Sequence, residues 1–301
     1  MVDEIIPEVG WIEFLKEIER KNSKIFIIGG VDSGKTTFAR FAINWLIEKK
    51  NKVYFIDCDV GQSTIGPPTT ISSVLFIDPP NWSEDIKPDY LYFVGRASPE
   101  SNVYEVIFSF KKIYEISNSI QFDYLIVDTT GMVTGDDAFY LKKIKVEITS
   151  PDYIVFFLKE NELDHLIKYF SDKKINTICF PISKDVKPRT KERRKSYREN
   201  RFRNYFKNSF HKKITLPEKI LTKFASEIQD KTLIKGLLVG LNNEKYITAG
   251  LGLIDDIDFG NGTLSILTPL NNLSSVKFIK FGFLKLNEDF SESGQINVNL
   301  K

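Results

Sequence analysis

The chain has 301 residues, 42% of them hydrophobic and 27% charged, with a net charge of +2. This suits a soluble globular protein of one large domain, or one domain with a smaller appendage. Two cysteines (Cys58, Cys179) and two histidines (His165, His211) are too few for a disulfide framework or a structural zinc. Both cysteines are expected to be reduced and to sit in strands.

The first residues, MVDEIIPEVG, are acidic and lack a long apolar stretch. No signal peptide is expected, no run reaches the length of a membrane span, and a cytoplasmic location is the expectation. Trp11, Phe14, Leu15 and Ile18 have helical spacing and predict a short packed helix within an N-terminal segment, 1–22. Ile25 to Ile28 then enters a loop that fits G-x-x-x-x-G-K-[ST], with Gly29, Gly34, Lys35 and Thr36 in the fixed places. An amphipathic stretch from Thr37 to about Lys49 and a β-rich run, Val53 to Ile56, follow. Strand, glycine loop, helix and strand are the context of a phosphate site. Backbone N–H groups along Gly29, Gly30, Val31, Asp32, Ser33, Gly34 and on to Thr37 would cradle phosphates at the positive end of the helix. Lys35 would reach the β- and γ-phosphates and the Thr36 hydroxyl would hold Mg²⁺, so ATP or another nucleoside triphosphate is expected.

Asp57 and Asp59 end the second run, at the crevice where open α/β sheets bind ligands. Strand alternation predicts that both face one side, toward metal and acceptor. The turn-rich STIGPPTTI (63–71) follows, then short β runs at Val74 to Ile77 and Tyr90 to Val94, and a helical pattern from Asn102 to Ser119. Tyr124 to Val127 reads as a buried strand ending in Asp128, whose carboxylate would bind Mg²⁺. Helix (Asp136 to Val146), strand (Tyr153 to Leu158), helix (Glu162 to Phe170) and strand (Thr177 to Phe180) continue the alternation and predict a parallel sheet with helices on both faces.

Residues 184–213 hold thirteen Lys or Arg against three acidic residues, a local +10 that leaves −8 for the remainder. Such a block fits an anionic ligand. From Thr190 it reads as a helix, with Arg194, Arg198 and Arg201 on one face and Phe202, Tyr205 and Phe206 anchoring its end. After about Ile214 helical periodicity fades past Ile228, and β-rich runs begin at Leu233, Lys245, Thr263 and Val276. Asn242-Asn243 and Asn261-Gly262 are turn signals within a small antiparallel unit. The expected division is a kinase-like domain over 23–213, with its lid over about 184–213, and a β-rich domain over 214–301.

The Asp128 to Gly131 stretch also passes for the D-x-x-G of GTPases, but no N-K-x-D accompanies it. Transfer to a hydroxyl needs a base, cations around the phosphoryl group and a lid that excludes water; Asp59, Lys35 with Mg²⁺, and the arginine helix supply them. Kinase action on a small metabolite and a scaffold role with little turnover are the competing readings. The order GGVDSGKTT, DVGQ (Asp59 to Gln62) with STIGPPTT, T-x-G at Thr129 to Gly131 and R-x-x-x-R at Arg194 to Arg198 resembles the polynucleotide 5′-hydroxyl kinase family of RNA processing. The resemblance covers nearly the whole chain and implies a compact member lacking the N-terminal β domain of eukaryotic relatives. It implies a P-loop NTPase fold and, as acceptor, single-stranded or end-exposed RNA or DNA with a 5′-hydroxyl. It makes Asp59 the base and a metal-site carboxylate, Asp57 its neighbour in support, and Arg194 and Arg198 the lid cations. Gln62, Thr129, Thr130, Gly131 and Met132 would position nucleotide or acceptor. Met132 stands where the family places a large aromatic that can stack on a base.

Overall fold

The computed structural model describes residues 5–18, 23–100, 102–184, 186–216 and 231–296. A helix, α1 (Val9–Glu17), precedes β1 (Ser23–Gly29), α2 (Lys35–Glu48), β2 (Val53–Asp57), β3 (Thr70–Phe76) and β4 (Tyr90–Phe93). Then come α3 (Val103–Ser117), β5 (Tyr124–Asp128), α4 (Asp136–Thr149), β6 (Tyr153–Leu158), α5 (Asp164–Asp172), β7 (Asn176–Pro181) and α6 (Lys191–Phe206). The C-terminal strands are β8 (Phe210–Thr215), β9 (Leu237–Asn242), β10 (Thr248–Asp258), β11 (Thr263–Thr268), β12 (Phe278–Leu286) and β13 (Glu292–Gln295). Residues 217–230, where the helical pattern was expected to fade, lie outside the described residues, as does most of segment 1–22 flanking α1.

The parallel part of the sheet runs β2-β5-β1-β6-β7. β1, β2, β5 and β6 are buried on both sides because helices cover both faces, while β7 at the edge is largely exposed. Ile25, Ile27, Phe55 and Ile126 pack under α1 and α2, with Trp11, Phe14, Phe38 and Ile43. Phe26, Ile28, Tyr54, Ile56, Leu125 and Val127 pack under α3, α4 and α5, with Phe110, Leu141 and Leu166.

The sheet is mixed rather than parallel throughout. β3 pairs antiparallel with β2, and β4 antiparallel with β3. The connection from β2 to β3 is the 58–69 loop with no helix, and a parallel neighbour would need a crossover. β3 also starts at Thr70, inside the stretch expected to be a loop. The strands after α6 are antiparallel among themselves and join the sheet where Thr248 of β10 meets Leu91 of β4. β8 pairs with β11 from Phe210 onward, so the boundary expected at 213/214 runs through a strand.

Phe202 and Phe206 of α6 are buried against Phe93, Leu238, Leu251 and Leu284, so the helix packs on the junction between the two strand groups. Each buried phenylalanine contributes about 1.5–3 kcal/mol. Cys179 is exposed in β7, whereas Cys58 is buried just beyond β2, outside any strand.

Candidate active site

β1, β2 and β5 end in step, with Ile27 beside Asp128 and Asp57 beside Asp128, so their loops converge at one edge. Gly34 caps α2 with φ at +92°, a left-handed conformation that glycine adopts without a Cβ clash. The helix starts at Lys35, two residues before the expected start, because the loop delivers the chain directly into helical geometry.

The result is a cleft of about 1360 Å³ lined by the phosphate loop, Asp59 to Gln62, Ala97 to Glu100, Thr130 to Asp137 and the lid helix. On its floor, Lys35 Nζ donates to the Gly30 carbonyl at 2.6 Å and to Ser33 Oγ at 3.3 Å. Burial pushes the Lys35 ammonium below the ordinary lysine range, while Asp128, Asp59, Asp32 and Glu162 pull it back. Thr36 Oγ1 donates to Asp128 Oδ2 at 2.6 Å, and Asp128 Oδ1 is buried without a partner. Burial pushes the Asp128 carboxyl up, against Lys35 and the Thr36 hydroxyl.

Asp57 and Asp59 do not share a side. β2 ends at Asp57 and the chain bends from Val60, so the two-residue alternation does not continue to Asp59. Asp57 is buried, and its carboxylate accepts from the backbone N–H groups of Asp59 (2.9 Å), Thr64 (2.5 Å) and Ile65 (3.2 Å). Burial and the nearby Asp128 nonetheless raise its pKa to about 8. Asp57 therefore staples the 58–65 loop instead of facing acceptor or metal. Asp59 lines the cleft, and its Oδ1 accepts from the N–H groups of Gly61 and Gln62, both at 3.0 Å.

The turn after β5 lies directly on the phosphate loop. A Cβ at Gly131 would come 2.7 Å from Val31 Cα, so the approach requires glycine. Thr130, Gly131 and Met132 line the cleft, and Met132 also packs on the core beneath α3 and α4. Thr129 is buried behind them.

The lid closes the other side. Thr190 caps α6 by accepting from Arg193 N at 3.2 Å. Asp32 accepts from Arg189 N at 2.8 Å and from Arg194 Nη1 at 3.1 Å, which pins the lid to the phosphate loop. Gln62 joins the same latch: its Nε2 donates to the Arg194 carbonyl, and its Oε1 accepts from Arg189 Nη1, both at 3.2 Å. Arg198 lines the cleft yet is held by two bonds to Glu292 of β13, at 2.5 and 3.0 Å. Arg201 turns away to Asp85 and the Gly66 carbonyl.

Several cleft residues escaped the sequence reading. Arg40 follows Thr36 by four residues on α2, a spacing that places it on the same face and could have flagged it. It lines the cleft, and its guanidinium stands 5.2 Å from the Trp82 ring centroid. Arg189 lies just ahead of the lid helix, and Tyr197 donates to the Ser63 carbonyl at 2.8 Å. Glu292 carried no local signal at all.

The described residues contain no cluster of three His, Cys, Asp or Glu side chains that could hold a metal. A Mg²⁺ ion, however, takes one or two protein ligands and completes its shell with phosphates and water. The Thr36 hydroxyl beside a carboxylate with one orphaned buried oxygen fits that donor set. No helix among the described residues is long and apolar enough to cross a membrane.

Residues 29–208 match the model of a family described as the mRNA cleavage and polyadenylation factor CLP1 P-loop. The polyribonucleotide 5′-hydroxyl-kinase of Pyrococcus furiosus is 31% identical over 91% of each chain. That of Methanocaldococcus jannaschii is 33% identical over 92% of this chain and 91% of its own. The human polynucleotide 5′-hydroxyl-kinase NOL9 is 30% identical over 49% of this chain and 20% of its own. In fold, the chain is similar to wild-type Clp1p in its complex with Pcf11p, with a TM-score of 0.72 at 12% identity, over 90% of this chain and 76% of that one. With its phosphate loop, mixed sheet and lid helix in place, this chain belongs to the CLP1 P-loop family, alongside the compact archaeal polyribonucleotide 5′-hydroxyl-kinases.

Proposed function

We propose that this protein is a polynucleotide 5′-hydroxyl kinase that moves the γ-phosphate of ATP to the 5′-hydroxyl of a single-stranded or end-exposed RNA. The observation that carries this reading is one cleft that holds Lys35, the Thr36–Asp128 pair and Asp59 under an arginine-rich lid. The relatives that align over more than nine-tenths of their length are polyribonucleotide 5′-hydroxyl-kinases, which favours RNA as acceptor.

In this mechanism the loop from Gly29 to Thr37 binds the triphosphate through backbone N–H groups, and Lys35 leaves the Gly30 carbonyl for the β- and γ-phosphate oxygens. Thr36 and Asp128, with Asp59 near them, would hold Mg²⁺, which neutralises charge on the phosphates. Asp59 takes the proton of the acceptor 5′-hydroxyl as its oxygen attacks the γ-phosphorus. The bond from that phosphorus to the bridging oxygen breaks, and ADP leaves with the electron pair. Arg194 stabilises the equatorial oxygens in flight. Arg198 reaches them only after exchanging Glu292 for the phosphoryl group. Thr130, Gly131 and Met132 form the acceptor-side turn, and Gln62 keeps the lid over it.

The test is label transfer from γ-phosphate-labelled ATP to matched RNA and DNA oligonucleotides with 5′-hydroxyl ends. Wild type should label RNA, and Lys35→Ala and Asp59→Asn should lose transfer. An enzyme that phosphorylates nucleosides or other small alcohols but no oligonucleotide would instead be a small-molecule kinase.

A further inference from the structure

Two lysines of α4, Lys142 and Lys145, are completely buried behind the acceptor side of the cleft, each at 0% exposure. Neither forms an ion pair with a carboxylate among the described residues. Isolated buried ammonium groups are costly, so lysines at such positions call for a purpose. Lys145 Nζ stands 5.2 Å from the Phe110 ring centroid, with the Cys58 thiol beside it.

Lys142 is different. Its Nζ donates to Thr129 Oγ1 at 2.8 Å and to the Thr130 carbonyl at 2.5 Å. Thr129 Oγ1 in turn donates to the Ile27 carbonyl at 2.7 Å, on β1 two residues ahead of Gly29. A side chain from the middle of α4 thus ties the turn after β5 to the strand that feeds the phosphate loop. Burial, with Lys145 nearby, drives Lys142 well below the ordinary lysine range. The clearance it governs is small, given the contact of Gly131 with Val31.

We propose that Lys142 is a positioning residue for phosphoryl transfer. Through Thr129 it holds the Thr129–Met132 turn against the phosphate loop, which sets the acceptor site in register with the nucleotide site. The proposal rests on the kinase reading above. A core residue with no such role would behave oppositely, because replacing a buried lysine by an apolar side chain of similar length is neutral or stabilising.

The experiment compares wild type with Lys142→Met, Thr129→Val and the double variant, all as the full chain. Lys142→Met should bind ATP within about threefold of wild type and lose about 10²-fold in kcat/KM for a 5′-hydroxyl oligoribonucleotide. Amide hydrogen exchange should accelerate in a peptide spanning 127–134 and stay unchanged elsewhere. Thr129→Val, which keeps side-chain shape, should reproduce both effects, and the double variant should be no worse than either single one. A kcat/KM near wild type in Lys142→Met, or additive losses in the double variant, would overturn the proposal. If Lys142→Met does not fold, Thr129→Val decides alone: unchanged turnover and unchanged exchange refute the clamp. Absence of transfer by wild type would refute the kinase reading instead, and exchange at 127–134 would still decide the clamp.

Discussion

On the phosphate-loop side of the cleft, Lys35, Asp128 and Thr129 are buried and anchored by hydrogen bonds of 2.6–2.8 Å to backbone carbonyls, to Thr36 and to Lys142. On the lid side, Arg189, Arg194 and Arg198 are held by carboxylates at partly exposed positions, Asp32 and Glu292. The first wall is set by the core beneath it, and its side chains are buried. The second is held by ion pairs, in which an incoming phosphate competes directly with Asp32 and Glu292 for the same guanidinium groups. A kinase needs both kinds of wall: a fixed floor for the nucleotide and a cover that can exchange partners and exclude water.

The contrast can be broken most severely at the floor. Lys35→Ala should cut kcat for oligonucleotide labelling on the order of 10³-fold or more, because it removes the one cation built into the loop. On the lid, Arg194→Ala should cost about 10³-fold in kcat, because its guanidinium reaches the phosphate loop at Asp32. Arg198→Ala should cost only about tenfold, since two bonds hold its guanidinium to Glu292 against the single bond of Arg194 to Asp32. Equal losses at the two arginines would mean that Arg198 leaves Glu292 in every turnover.

Asp57 tests the floor through stability. Asp57→Ala strips acceptors from three buried N–H groups and should lower stability by about 3 kcal/mol or more, read as a fall in Tm by calorimetry. Were it an acceptor-binding residue, activity would fall while Tm held. The smallest effect belongs to the lid: Glu292→Gln should change stability by about 1 kcal/mol or less. It should also make tryptic cleavage within 191–206 faster, as should raising salt, while ATP protects the lid in both cases.

Much of this was legible in the chain itself. The phosphate loop, the strand ending in Asp128 and the capped arginine helix are local patterns, set by glycine conformations, apolar periodicity and charge spacing over a dozen residues. Chain order and motif spacing point to Lys35, Thr36, Asp59 and Arg194 as a set, and all four line one cleft. What tertiary structure alone decided is long in range. Asp57 parted from Asp59 because β2 ended two residues before Asp59 and three N–H groups of the next loop converged on Asp57. Arg198 met Glu292 ninety-four residues later in the chain, on a strand whose place depends on the whole antiparallel unit. Lys142 looked like one more helical lysine until α4 packed on the sheet and removed its water. Periodicity says which side of an element is buried; it does not say which distant backbone carbonyl waits there, and that is settled only when the layers close.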